Sequence, residues 1–184
     1  MTRDLKPNIR IYLCGMMGSG KSTVGRLLAR RLNLPHFDLD EEIEKNAGKT
    51  IPEIFQHRGE SEFRRLEREL LDQLHRTHGV HSLGGGALQN QQIVDLLKSS
   101  GFLIYLEAPL SQLSQRLGES KNRPLLNDKN RKQKKQTLEQ LYIERTPYYH
   151  QANLLISTES DSPEAVVQKI LLHPDFKKFL ADET

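Results

Sequence analysis

The chain has 184 residues, 36% hydrophobic and 28% charged, which suits one domain with a buried core and argues against wholesale disorder. Its apolar runs are short, as at Phe102–Leu106, where a membrane span needs about 20 residues, and its single cysteine excludes an intrachain disulfide or a CxxC metal knuckle. The formal charge is +3, yet Lys121–Lys135 holds seven basic residues and one acid, a local +6 that leaves the remainder at −3, so the partner expected of that segment is a compact anion.

Taken from the N-terminus, Met1–Pro7 has no apolar h-region, so no secretory signal is expected and the cytoplasm is the expected compartment. Ile9–Cys14 reads as a strand ending in glycines. Lys21–Leu32 follows as a helix with Val24, Leu27, Leu28 and Leu32 on one face. His36–Asp40 is a short second strand. Glu60–His78 is a long charged helix whose apolar stripe is Phe63, Leu66, Leu70, Leu71 and Leu74. Val80–Leu83 is the third strand, stopped by Gly84-Gly85-Gly86; Phe102–Leu106 and Asn153–Ile156 are the fourth and fifth. Further helices are expected at Asn90–Ser100, Pro109–Gly118, Thr137–Gln151 and Pro163–Leu172. Such alternation implies βαβ units and a parallel sheet covered on both faces. No linker or repeat divides the chain, so residues 1–184 are expected to form one domain. Gly118–Gln136 is the one long segment without an apolar face, a length at which loops are usually functional or disordered.

Gly15-Met-Met-Gly-Ser-Gly-Lys21-Ser22 fits G-x-x-x-x-G-K-[ST] at every fixed position and lies between a strand and a helix. Glycines let successive backbone N–H groups curl around a phosphate, and the helix N-terminus adds a partial positive charge. Lys21 then reaches the β- and γ-phosphates, and the Ser22 hydroxyl can ligate Mg²⁺. A dinucleotide fingerprint needs a different glycine order, so residues 15–23 read as a triphosphate site.

Asp38 and Asp40, two apart at a strand end, are expected on one face at the same sheet edge. One can organise Mg²⁺ through water while the other accepts a substrate hydroxyl; beside Glu41 and Glu42 they also read as an acidic loop. The glycine triplet is a second place for close backbone approach, or a simple turn. Ser82 can reach a metal-bound water or bond to backbone. Arg64, Arg123 and Arg145 each offer a fork for a carboxylate or phosphate, and composition does not choose among them. His75 and His78 lack the partners of a zinc set, and Cys14 reads as a small core residue. Asn130–Lys135 has no stacking aromatics, so a nucleic-acid partner is not expected.

Gly15–Gly25, Phe37-Asp-Leu-Asp40, Gly59-Glu-Ser-Glu-Phe-Arg64-Arg-Leu-Glu67, Ser82-Leu-Gly-Gly-Gly-Ala87, Arg123-Pro-Leu-Leu126 and Glu144-Arg-Thr-Pro-Tyr-Tyr149 together resemble the shikimate kinases in order and spacing, from about Ile9 to Leu172. The resemblance implies a three-layer P-loop kinase fold, a five-stranded parallel sheet of order 2-3-1-4-5, with a substrate-binding segment at about 38–67 and a mobile lid at about 119–136. It implies phosphorylation of the 3-hydroxyl of shikimate by ATP with one Mg²⁺, a step towards chorismate and aromatic amino acids. ATP phosphates then fall to Gly18, Ser19, Gly20, Lys21, Ser22 and Thr23, and Mg²⁺ to Ser22, with Asp38 acting through water. Shikimate falls to Asp40, Arg64, Gly85 and Arg145, and Arg123 of the lid to ATP; Lys21, Asp40 and Arg123 are the implied catalytic residues. The implied partners are the two small-molecule substrates alone, with no membrane and a monomeric protein. Kinases for gluconate or a nucleoside monophosphate, which share the phosphate loop and lid but would not need the Asp40, Arg64, Gly85 and Arg145 set, and a nucleotide-switched binding module whose basic loop touches nucleic acid, are the rival readings.

Overall fold

A computed structural model of the chain describes residues 9–118, 126 and 130–183. In chain order the elements are β1 (Arg10–Cys14), α1 (Lys21–Leu32), β2 (His36–Asp38), α2 (Leu39–Ala47), α3 (Ile51–Leu74), β3 (Gly79–Ser82), α4 (Gln91–Ser100), β4 (Phe102–Glu107), α5 (Leu110–Gly118), α6 (Arg131–Tyr149), β5 (Leu154–Ser157), α7 (Pro163–Leu172) and α8 (Pro174–Asp182). Among the described residues the strands form a five-stranded parallel sheet, β2-β3-β1-β4-β5.

Period-two alternation divides the core between the two faces of that sheet. Ile11 and Leu13 of β1 join Ile104 and Leu106 of β4 in one cluster, with Val24 and Leu28 of α1, Val166 and Ile170 of α7, and Phe176 of α8. Tyr12 and Cys14 join Leu103 and Tyr105 in the other, with Ile43 of α2, Phe63 and Leu70 of α3, Leu97 of α4 and Tyr149 of α6. Because every pairing is parallel, all strand C-termini share one edge, where open α/β sheets bind ligands.

Several boundaries differ from the sequence reading for identifiable reasons. β2 stops at Asp38, whose carboxylate accepts the N–H of Asp40 at 3.1 Å and caps α2. Asp40 therefore lies in a helical first turn, not beside Asp38 on a strand face; an acidic first turn suits the positive end of the helix. The long helix begins at Ile51 with a Thr50/Glu53 capping box, and is broken at Gly59 (φ 77°, ψ 174°), so residues 60–74 are a separate helical segment. The basic run is not all loop. Asn130 and Gln133 form a capping box that starts α6 at Arg131, so Lys132, Lys134 and Lys135 are helical. The remainder of the expected lid, 119–125 and 127–129, with Arg123, lies outside the described residues. The tail adds α8, with Pro in its first turn and Phe176 and Phe179 against Phe102 at 5.4 and 4.9 Å between ring centres.

Candidate active site

Between β1 and α1 the chain passes through three left-handed glycines, Gly15, Gly18 and Gly20 (φ 142°, 82° and 94°), a path that L side chains rarely adopt. At Gly15 a Cβ would lie 2.6 Å from the Leu106 carbonyl oxygen of β4, so the loop sits directly on the sheet edge. No side chain caps α1 at Gly20, leaving its N-terminus with the partial positive charge of a phosphate site. The Lys21 ammonium donates to the Gly15 and Met16 carbonyls at 3.0 and 2.9 Å, which holds it against the loop. Ser19 is buried, and its Oγ has no hydrogen-bond partner among the described residues. Ser22 is half-buried and Thr23 exposed in the first turn of α1. Arg116 of α5 donates to the Gly18 carbonyl at 3.0 Å, an anchor of the loop that the sequence reading did not single out.

What crowds each glycine after β3 locates the second half of the site. A Cβ on Gly84 would lie 2.8 Å from Glu67 Oε1 and 2.9 Å from Asp40 Oδ1. One on Gly85 would lie 3.1 Å from the Met17 backbone nitrogen and 3.7 Å from Arg145 Nη1. One on Gly86 would lie 2.6 Å from Arg64 Nη1. The triplet is thus a floor of close approach on which Asp40 (α2), Arg64 (α3) and Arg145 (α6) converge, with the phosphate loop as its neighbour. Arg145 donates to the Gly85 carbonyl at 2.6 Å.

Arg64 is held by ion pairs. Its Nη1 donates to Glu67 Oε2 at 2.7 Å, and its Nε and Nη2 to Glu60 Oε1 at 3.2 and 3.1 Å. Glu67 is 2% exposed, and Gln89 also donates to its Oε2 at 3.0 Å. Burial raises the Glu67 pKa, Arg64 opposes that rise, and the nearby Asp40 charge adds to it. Arg65, one residue on, faces solvent and pairs with Glu62 and Glu69. Glu67 and Gln89 were not candidates from the sequence. A signal for Glu67 existed, because it falls between Phe63 and Leu70 at the four- and three-residue spacing of the buried face of α3.

The minor candidates resolve towards structure. Ser82 Oγ donates to the Lys21 carbonyl at 3.0 Å and lies 3.0 Å from His36 Nε2, so its bonds tie β3 to α1 and β2. Burial pushes the Cys14 thiol up to about 12, which leaves it an inert core side chain. No cluster of three His, Cys, Asp or Glu side chains able to hold a metal occurs among the described residues. No described helix is long and apolar enough to cross a membrane. Two carboxylates and two guanidiniums around a glycine floor, open to a phosphate loop, can seat a small acceptor bearing a hydroxyl at one end and an anionic group at the other.

Comparison with known proteins points to one family. The pattern of the family described as "Shikimate kinase" matches residues 17–173. The curated shikimate kinase of Aquifex aeolicus (strain VF5) is 42% identical over 165 residues, 89% of this chain and 95% of that protein. That of Persephonella marina (strain DSM 14350 / EX-H1) is 43% identical over 162 residues, 88% of this chain and 96% of that protein. Among solved structures, the shikimate kinase from Acinetobacter baumannii in complex with shikimate superposes with a TM-score of 0.82 at 40% identity, covering 91% of this chain and 92% of its own. A gluconokinase from Sinorhizobium meliloti 1021 reaches a TM-score of 0.53 at 15% identity, a likeness of fold alone. At about 40% identity over nearly nine-tenths of its length, this chain belongs to the shikimate kinase family.

Proposed function

We propose that this chain transfers the γ-phosphoryl group of ATP to the 3-hydroxyl of shikimate, giving shikimate 3-phosphate and ADP. The observation that carries the reading is the convergence of Asp40, Arg64 and Arg145 on the glycine triplet, beside Met17 of the phosphate loop. Shikimate fits that arrangement with a carboxylate opposite its ring hydroxyls. Gluconate also bears a carboxylate and hydroxyls, and membership of the shikimate kinase family is what favours shikimate over it.

In this reading the backbone of residues 18–23 and the Lys21 ammonium hold the ATP phosphates, and Lys21 stabilises charge on the group in transfer. Asp40 accepts the hydrogen bond of the attacking hydroxyl and orients its oxygen; the Gly85 N–H holds a neighbouring hydroxyl. Arg64 and Arg145 grip the carboxylate, which fixes the ring relative to the phosphate loop. Arg123, outside the described residues, is assigned to the phosphates from the sequence alone.

The donors present fit Mg²⁺. The Ser22 hydroxyl and the Asp38 carboxylate are hard oxygen donors at one sheet edge, and Asp38 already commits Oδ1 to the α2 cap. So small a protein donor set suits an ion that keeps several waters and takes the rest from phosphate oxygens. When bound there, Mg²⁺ supplies charge neutralisation of the phosphates. A monomer is the proposed working unit, as the family resemblance implies.

ADP release measured with shikimate, gluconate or AMP as acceptor tests the reading. Turnover is expected with shikimate alone. Turnover with gluconate or AMP and none with shikimate overturns it, as does polynucleotide binding with a steep salt slope in the absence of any acceptor turnover.

A further inference from the structure

Tyr149, the last residue of α6, is 1% exposed and has no part in the roles above. Its hydroxyl donates to the Gly85 carbonyl at 2.5 Å and lies 3.9 Å from Met16 Sδ of the phosphate loop. Its ring stacks on Tyr105 of β4, 5.1 Å between centres and 28° between planes, so the sheet fixes where that hydroxyl stands. Burial raises its pKa, which keeps the hydroxyl neutral and a donor. Arg145, one helical turn earlier, donates to the same carbonyl oxygen at 2.6 Å.

Three consecutive glycines carry no side chains to lock their peptide planes, and ordering such a run is entropically costly. The turn is closed on one side by the Ala87 N–H donating to the Gly84 carbonyl at 3.1 Å. On the other side Tyr149 and Arg145 fix the Gly85 carbonyl. Between these anchors the Gly85 N–H is held in one orientation, and it donates to no acceptor among the described residues. The double anchorage also bears on Arg145. Arg145 commits Nη1 to that carbonyl, so the Tyr149 hydroxyl, fixed by the sheet, also sets where the guanidinium stands, and the remaining N–H groups of Arg145 can face an incoming carboxylate.

We infer that Tyr149 is a positioning residue for shikimate: its hydroxyl holds the Gly85 peptide, and through the shared carbonyl the Arg145 guanidinium, in the binding orientation. This rests on the reading that Gly85 and Arg145 face shikimate.

Tyr149→Phe is the test. It keeps the ring and its stack on Tyr105, and it leaves the Gly85 carbonyl with Arg145 as donor, so no buried group is orphaned and the fold is retained. KM for shikimate is expected to rise about five- to tenfold, the effect of one lost hydrogen bond, while kcat and KM for ATP stay within twofold. 4-Aminophenylalanine at position 149 returns an N–H donor to the same place and should bring KM for shikimate back to within twofold of the unmodified protein. An unchanged KM for shikimate in Tyr149→Phe overturns the proposal, even if the variant melts earlier; so does a parallel rise in both KM values, which marks a general packing defect. Arg145→Lys run alongside separates the two layers. If it raises KM for shikimate and Tyr149→Phe does not, only the positioning role is lost. If Arg145→Lys leaves KM for shikimate unchanged, the reading of the site itself is wrong and the proposal falls with it.

Discussion

Arg64 Nη1 meets Glu67 Oε2 at 2.7 Å across one turn of α3, with the Arg64 side chain 17% exposed and that of Glu67 2%. Arg65, the adjacent residue, is paired as closely but with an exposed side chain, so the two neighbours separate burial from pairing. Removing one partner of a buried pair strands the other; an exposed pair is worth about 0–1 kcal/mol. Glu67→Ala is therefore expected to cost about 3 kcal/mol in denaturant unfolding. Arg65→Ala should stay within about 0.5 kcal/mol of the unmodified protein. Equal losses at the two positions would refute the assignment of Glu67 as the buried anchor.

The same pair sets the geometry for the substrate. Arg64→Lys keeps a positive charge and loses the planar fork, so shikimate binding should weaken by about 2 kcal/mol or more, roughly thirtyfold in Kd. Titration calorimetry with shikimate reads this directly. A Lys variant that binds shikimate normally would remove Arg64 from the carboxylate contact.

Lys21 and Asp40 are expected to fail differently. Lys21→Ala removes charge stabilisation from the phosphoryl group and should lower kcat by about a hundred- to a thousandfold. Asp40→Asn keeps the shape and loses the negative acceptor of the attacking hydroxyl. It should reduce kcat/KM for shikimate by about a hundredfold with KM for ATP within twofold. A comparable rise in KM for ATP would place Asp40 on the nucleotide side instead.

Much of this was legible in the sequence because the informative residues are of types that rarely occur by chance at those spacings. β1, β4 and β5 show as apolar runs, the phosphate loop as its glycines, and the sheet order follows from the family resemblance. Local competition hid the rest. The acidic run after Asp38 looks like a loop because its charges mask the amphipathic pattern of Leu39 and Ile43, both wholly buried in α2. Gly59 breaks α3 with a backbone turn that no periodicity reveals. Lys132–Lys135 lack an apolar face, and α6 extends over them through a capping box, a two-residue signal within a polar run. Glu67 stood in plain view on the apolar stripe, obscured by a helix full of glutamates that do face solvent.

A pH prediction follows from His81, a fully buried residue of β3 that packs between Tyr12 and Phe37 and whose Nε2 lies 2.8 Å from the Thr77 carbonyl. Burial lowers its pKa to about 4 from an ordinary 6.5. The neutral ring is the folded form, so its contribution to stability is whole above pH 6.5 and is lost as pH falls through about 4. The loss amounts to about 3 kcal/mol by linkage. His36, also lowered by burial, adds to the loss on the acid side in the same sense. Melting temperature measured from pH 7 to pH 4 should fall steeply, and His81→Phe, though less stable at pH 7, should fall less. Identical slopes in the two proteins would show that other groups control the acid side.

Gly86 couples the buried Arg64–Glu67 pair to substrate binding. A Cβ there would stand 2.6 Å from Arg64 Nη1 and 2.9 Å from Nη2, and both atoms are the far end of a flexible side chain. The backbone at Gly86 is not left-handed, so alanine brings no φ strain. To make room the guanidinium must move, and in doing so it leaves the place assigned to the shikimate carboxylate and strands the buried Glu67 carboxylate, which keeps only Gln89. Gly86→Ala should therefore raise KM for shikimate about tenfold or more, by loss of a charged hydrogen bond, and leave KM for ATP within twofold. Its stability should fall about as much as that of Glu67→Ala, roughly 3 kcal/mol, because both substitutions break the one buried pair. Gly86→Ala in an Arg64→Lys background should add little further, because the two substitutions remove one contact. Fully additive effects would mean that the methyl group obstructs shikimate itself, with Arg64 undisturbed.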